Sequence, residues 1–249
     1  MSLKKTVKIL PGIPWLRDHD EYESYYPKIV KCIKEQVTTA TVMPPYRTPP
    51  YSGKFQPGKQ NLLNAIMDRM NAIIDHYMTT NATHLWMVDG DVEPPPHALD
   101  TLLRLDVDIA SGVYPFHNFL KRFDGDKPCR AMMCGRMGND PCGFFAPRDW
   151  AYLKDVILGE EEKVSGGSGC MLVKRRVFQT HNPQIPPLRF TRVGPDLQTC
   201  GADVYFWKRA QDAGFTGRLH GGVVCSHLPE YPLSKISEWL NNNDSGREI

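Results

Sequence analysis

Two carboxylates one residue apart stand where an apolar run stops. Thr83-His84-Leu85-Trp86-Met87-Val88 leads straight into Asp89-Gly90-Asp91, and three prolines, Pro94 to Pro96, follow closely. Carboxylate oxygens are hard ligands suited to Mg²⁺ or Mn²⁺, above all to a cation shared with phosphate oxygens. Gly90 allows a sharp turn and a close approach. A plain Asp-Gly turn with solvated acids is the competing explanation of the same residues.

Other chemistry-bearing residues lie far along the chain. Asp203 sits in the first turn of a helix whose Phe206, Ala210 and Ala213 share one face. There a cap or a partner for the helix dipole explains an acid as well as catalysis does. His227 ends the apolar run Val223-Val224-Cys225-Ser226, much as Asp91 follows its own. Gly166 and Gly167, in Val164-Ser165-Gly166-Gly167-Ser168-Gly169, permit close approach of a ligand or simply bend the chain between elements. The run lacks the Gly-Lys-Ser or Gly-Lys-Thr ending of a phosphate loop, which excludes a nucleoside triphosphatase of that type. Lys59 and Gln60 open a helix whose N-terminus would suit a phosphate or a solvated first turn.

The elements that must position these groups follow from periodicity. Leu85 to Val88 reads as a strand buried on both faces, and carboxylates at the C-terminal end of such a strand stand where open α/β sheets bind ligands. Val7 to Leu10 is a first strand stopped by Pro11-Gly12-Ile13-Pro14. Ser24 to Gln36 and, more strongly, Gln60 to Met78 carry apolar residues at helical spacing. Thr38 to Met43 reads as a strand, Pro44 to Pro57 as a long loop with five prolines and three aromatics, Pro95 to Leu103 as a helix and Val107 to Tyr114 as a strand. This alternation predicts a three-layer α/β fold with crossover connections. From Pro115 to Trp150 short apolar pieces predict a small antiparallel side sheet. The glycine run should be a loop feeding strand Cys170 to Val173; two further strands, around Arg218 and at Val223 to His227, close the sheet. A short helix through Tyr231, Leu233, Ile236 and Trp239 and a frayed tail from Asn241 are expected at the end.

At 249 residues the chain is long enough for one sizeable domain. A net charge of +2 argues against a nucleic-acid binder working through a basic face. No apolar run reaches membrane-spanning length, and Met-Ser-Leu-Lys-Lys at the start lacks a signal peptide's apolar core, so a cytoplasmic location is expected. Seven scattered cysteines include one cluster, Cys129, Cys134 and Cys142, whose spacing fits no usual zinc knuckle.

In this order the pieces resemble the GT-A glycosyltransferases, and most closely the inverting family 2-like branch with its Asp-x-Asp motif. The likeness runs from about Val7 to Leu228. It implies a mixed, Rossmann-like sheet forming one domain, 1–249, with a nucleotide-binding part at about 5–115, an acceptor-side part at about 116–228 and a tail at 229–249. It implies Asp91 and His227 as ligands of Mn²⁺ or Mg²⁺, with Asp89 and Gly90 at the donor and Asp89 near the ribose. Pro11, Gly12 and Ile13, with Arg17, would line the nucleobase, and Asp203 would be the base that deprotonates the acceptor. In that branch an acidic pair stands at this place, whereas here the pair is Ala202-Asp203. The Gln-x-x-Arg-Trp motif of processive synthases is absent, with Trp207-Lys208-Arg209 in its place, which disfavours a polysaccharide synthase. The implied donor is a UDP-sugar and the acceptor a glycan, lipid or protein hydroxyl. A nucleotidyltransferase using the same acids, or a non-catalytic module binding a nucleotide-sugar or glycan, are the competing readings.

Overall fold

The computed structural model describes residues 6–14, 20–49, 59–115, 134–136, 143–144, 153–154, 156–179, 187–191 and 201–228. A mixed sheet of eight strands forms the middle layer. Strand β1 (Lys8–Ile13) pairs in parallel with β2 (Thr41–Val42), β3 (Tyr46–Arg47) and β4 (His84–Val88). Beyond β4 comes β11 (Cys170–Lys174), antiparallel to it and to β6 (Ile109–Val113). Next stand β12 (Gly217–Val224), parallel to β6, and the edge strand β9 (Ile157–Leu158), antiparallel to β12.

Side chains alternate across this sheet and each face has its own helices. Leu85, Met87, Met171 and Val173 meet Met70, Ile73 and Tyr77 of α2 (Lys59–Thr79) and Phe206 and Trp207 of α4 (Ala202–Asp212). Trp86, Val88, Cys170 and Leu172 share the opposite core with Ile29 and Ile33 of α1 (Asp20–Lys34) and Leu99 and Leu102 of α3 (Ala98–Arg104). The predicted three-layer α/β architecture is therefore present. So is the side sheet, in which β7 (Cys134–Arg136) lies between β8 (Gly143–Phe144) and β10 (Val164–Gly166), antiparallel to both.

Strand β3 lies inside the stretch expected to be a loop from Pro44 to Pro57, and among the other boundaries that differ from expectation three have identifiable reasons. Strand β1 does not stop at Leu10 but continues through Pro11, Gly12 and Ile13. Main-chain bonds to its neighbours run from Met43 to Ile9 and from Thr48 to Ile13, so Pro11 falls where the partner strand is broken between β2 and β3 and no amide is needed. The first half of the glycine run is strand β10 rather than loop. The last two predicted strands are one, β12, whose register shifts between Leu219 and Val224, followed by the short β13 (Ser226–His227). The C-terminal helix and tail expected after Leu228 lie outside the described residues, as do Cys129 and Cys142. No helix among the described residues is long and apolar enough to cross a membrane.

Candidate active site at the end of β4

Strand β4 delivers the acids. After Val88 the chain leaves the sheet but keeps one more ladder contact, Asp89 N–H to the Gly169 carbonyl at 3.3 Å. It turns at Gly90, with Val92 N–H bonded to the Asp89 carbonyl at 3.1 Å. Val92 and Glu93 form β5 instead of passing directly into the prolines. Strand β5 pairs with β13, opposing Val92 to His227, and Leu228 N–H bonds the Asp91 carbonyl at 2.8 Å. This two-stranded ladder carries the late histidine to the acidic turn.

The side chains meet there. His227 Nε2 lies 3.1 Å from Asp91 Oδ2, and its Nδ1 lies 2.7 Å from the Pro115 carbonyl oxygen. Both residues are nearly sealed from solvent, at 6 % exposure for Asp91 and 7 % for His227. A carbonyl oxygen can only accept, so Nδ1 carries a proton; a neutral ring would then set the bare lone pair of Nε2 against a carboxylate oxygen. That arrangement calls for a positive charge on or between the two groups. Burial works against a charged ring, but the Asp91 carboxylate, the Pro115 carbonyl and Asp89 outweigh it and raise the His227 pKa. A metal-binding imidazole uses the same arrangement, its other nitrogen donating to a carbonyl.

Asp89 is short of positive charge as well. Burial, with Asp91 beside it, raises its pKa to about 7; Asp203 adds to the shift, while His227 and a hydrogen bond from Ser168 oppose it. Among the described residues its buried Oδ1 has no hydrogen-bond partner. Asp203 belongs to the same electrostatic cluster. Its carboxylate accepts the Val204 N–H at 2.9 Å and is raised by burial against the pull of main-chain N–H groups, Val204 first and Ser168 among them. Gly201, at the helix cap, has no side chain, and a Cβ there would collide with the Asp203 carboxylate. Asp203 therefore binds a main-chain N–H of the first turn of α4 without being its cap, which is Gly201.

Two of these residues, Asp91 and His227, are of the types that could hold a divalent cation. Asp89, Asp91 and His227 meet at a poorly solvated turn, with Asp203 of α4 acting on Asp89 electrostatically, and among the described residues the buried Asp89 Oδ1 has no donor. Among the described residues no three His, Cys, Asp or Glu groups form a cage, so Asp91 and His227 would hold a cation whose remaining positions come from the ligand. Such sharing with phosphate oxygens is usual for Mg²⁺.

The remaining predicted residues are placed as follows. Ile13 is fully buried in the core beneath α1, and a Cβ on Gly12 would collide with Ile73 of α2, so packing accounts for both. Pro11 is buried beside them in β1. Arg17 lies outside the described residues, and Lys59 begins α2. Gly166 packs in β10 against Ser111 and Leu219, and Gly167 offers its carbonyl to the Ser111 hydroxyl at 3.3 Å. The residue of that run turned toward the acids is Ser168, 3 % exposed and touching Asp89 with its hydroxyl and Asp203 with its amide. Its signal in the sequence was a hydroxyl set between glycines. Tyr114 was missed altogether: at the end of β6 its ring meets His227 edge-on at 5.6 Å and its hydroxyl accepts the Gly169 N–H at 2.8 Å.

No family model and no curated protein matches the chain. Among solved structures, A197 from STIV is 12 % identical, with 90 % of this chain and 87 % of that one covered at a TM-score of 0.48. CMP:2-keto-3-deoxy-manno-octonic acid synthetase complexed with CTP is also 12 % identical, with 96 % and 99 % covered at a TM-score of 0.44. Scores of this size establish no common fold, and the chain's chemistry rests on its own residues.

Proposed function

We propose that the chain is a glycosyltransferase that moves a sugar from a nucleoside diphosphate sugar, a UDP-sugar by resemblance, to an acceptor hydroxyl with inversion. The observation that carries this reading is the pairing of Asp91 with His227 beside Asp89, whose carboxyl also feels the charge of Asp203 on α4. A divalent cation held by Asp91 and His227 would supply Lewis-acid stabilisation of the departing diphosphate. The chain's own residues do the rest. Pro115 fixes the imidazole through Nδ1, so that Nε2 and the Asp91 carboxylate present their lone pairs together. Asp89, beside Asp91, accepts hydroxyl donors from the ligand. Asp203, raised by burial and anchored on the first turn of α4, accepts the proton of the acceptor hydroxyl as that oxygen attacks the anomeric carbon and the bond to the diphosphate breaks.

Calorimetric titration of uridine and guanosine diphosphates with and without Mn²⁺, followed by turnover of the matching nucleotide-sugars, tests the proposal. Metal-dependent nucleotide binding with sugar release or transfer supports it. Indifference to every nucleotide refutes it and leaves a glycan-binding module. Consumption of a nucleoside triphosphate with release of pyrophosphate and no need for a nucleotide-sugar replaces it with a nucleotidyltransferase.

A further inference from the structure

Strand β6 ends at Val113, and the next two residues both reach the late histidine. Pro115 holds Nδ1 of His227 through its carbonyl at 2.7 Å. Tyr114, 2 % exposed, sets its ring edge-on to the imidazole with centroids 5.6 Å apart and planes at 82°, a favoured geometry for an aromatic pair. The Cys225 N–H bonds the Val113 carbonyl at 2.9 Å, which brings the chain entering β13 alongside. A buried phenol needs a hydrogen-bond partner, and this one accepts the Gly169 N–H at 2.8 Å. A Cβ at Gly169 would lie 2.8 Å from that oxygen, so glycine is what lets the phenol reach the main chain here. The Gly169 carbonyl in turn takes the Asp89 N–H at 3.3 Å.

Resting on the proposed function, we infer that Tyr114 is a positioning residue of the cation site: its ring holds the His227 imidazole with Nε2 toward Asp91, and its hydroxyl anchors that ring to the Gly169 peptide. A single hydrogen bond at Nδ1 fixes one point of the imidazole and leaves the ring free to pivot about it. A packed aromatic ring alongside removes the pivot and keeps Nε2 at 3.1 Å from Asp91 Oδ2. Tyr114 acts through His227 and not on the ligand, as the outer residues around a metal-binding imidazole do. Because Gly169 also bonds the Asp89 amide, the histidine and the acidic turn share one fixed point on the main chain.

Tyr114→Phe keeps the ring and removes the anchor, whereas Tyr114→Leu removes both. Two measurements on the full chain separate positioning from packing. The first needs no ligand: the Nδ1 proton of His227, recognised in proton–nitrogen spectra by its absence from His227→Ala, should persist in Tyr114→Phe and be lost to solvent exchange in Tyr114→Leu. The second is calorimetry with UDP. Affinity in the presence of Mn²⁺ should fall about tenfold in Tyr114→Leu and by about threefold in Tyr114→Phe, with metal-free affinity unchanged in both. Either measurement left unaltered by Tyr114→Leu overturns the positioning role, and so does an equal loss of affinity with and without metal, which marks packing alone. Should Tyr114→Leu fail to fold, Tyr114→Phe decides: Mn²⁺-supported affinity equal to that of the unmodified chain overturns the role. Absence of nucleotide binding by the unmodified chain overturns the glycosyltransferase reading, while loss of the Nδ1 proton in Tyr114→Leu would still show the phenol holding the imidazole.

Discussion

His227 Nε2 lies 3.1 Å from Asp91 Oδ2 while its Nδ1 is committed to the Pro115 carbonyl, so the two residues face each other across a place that requires positive charge. Ladder pairing of β5 with β13 makes this contact between residues far apart in the chain. Removing either partner should remove the same property. Asp91→Ala or His227→Ala should weaken Mn²⁺-dependent nucleotide binding on the order of 100-fold while leaving metal-free binding unchanged. Calorimetry with and without Mn²⁺ decides it, and retained affinity in the presence of metal counts against the ligand role.

The pH dependence has a definite direction. Asp89 titrates at about 7 instead of in the usual carboxylate range, and the His227 pKa is also raised. Each group binds its proton more tightly folded than unfolded. Each therefore contributes stability at low pH that is lost as pH rises, for Asp89 from about 4 up to about 7 and for His227 above its ordinary value of about 6.5. Without ligand, thermal stability should fall between pH 5 and pH 8. A cation competes with these protons, so Mn²⁺ and UDP should bind more tightly as pH passes 7. Asp89→Asn should flatten both profiles, and melting curves with binding isotherms at the two pH values would show it.

Asp203 separates transfer from donor binding. Asp203→Asn retains an oxygen for the Val204 N–H but loses the basic carboxylate. Transfer should fall by roughly 10²- to 10⁴-fold with nucleotide affinity nearly unchanged. Gly201→Ala probes the same carboxylate from outside, because its new Cβ collides with it. It should also depress turnover more than donor affinity. Parallel loss of both quantities in either variant would leave Asp203 with a structural role in the first turn of α4.

Local signals made the scaffold legible. The run from Leu85 to Val88 alternates between two separate cores, as expected of a strand buried on both faces, and α2 begins and ends within one residue of its apolar periodicity. The acidic turn stood out because charges at the end of such a strand are costly, and the structure sets Asp91 against His227 there. What local pattern could not reveal was pairing across distance. Pro11 looked like a stop because the gap between β2 and β3, opposite it, depends on a neighbour some thirty residues on. Tyr114 looked like the last apolar residue of a strand, and only the folded chain brings its hydroxyl to Gly169. Ser168 was obscured by glycines whose purpose is packing against Ser111 and Leu219.

The sheet behind the site depends on one buried carboxylate. Asp108, fully buried just before β6, accepts bonds from the Arg176 guanidinium, from the Thr216 amide at 2.9 Å and from the Thr216 hydroxyl at 3.0 Å. Burial alone would raise its pKa, but these donors outweigh burial and hold it below the ordinary carboxylate value. A depressed pKa contributes stability above the unfolded value and loses it as pH falls through the folded one. Asp108→Asn should therefore destabilise the protein by about 2–4 kcal/mol near neutrality, since charged hydrogen bonds to partly buried donors are lost together. The difference should shrink as pH falls below about 4, where the unfolded carboxylate takes up its proton before the folded one does. Denaturant unfolding of both proteins from pH 7 down to pH 3 measures the gap, and a gap that stays constant over that range would show that the charge of Asp108 contributes nothing beyond its shape.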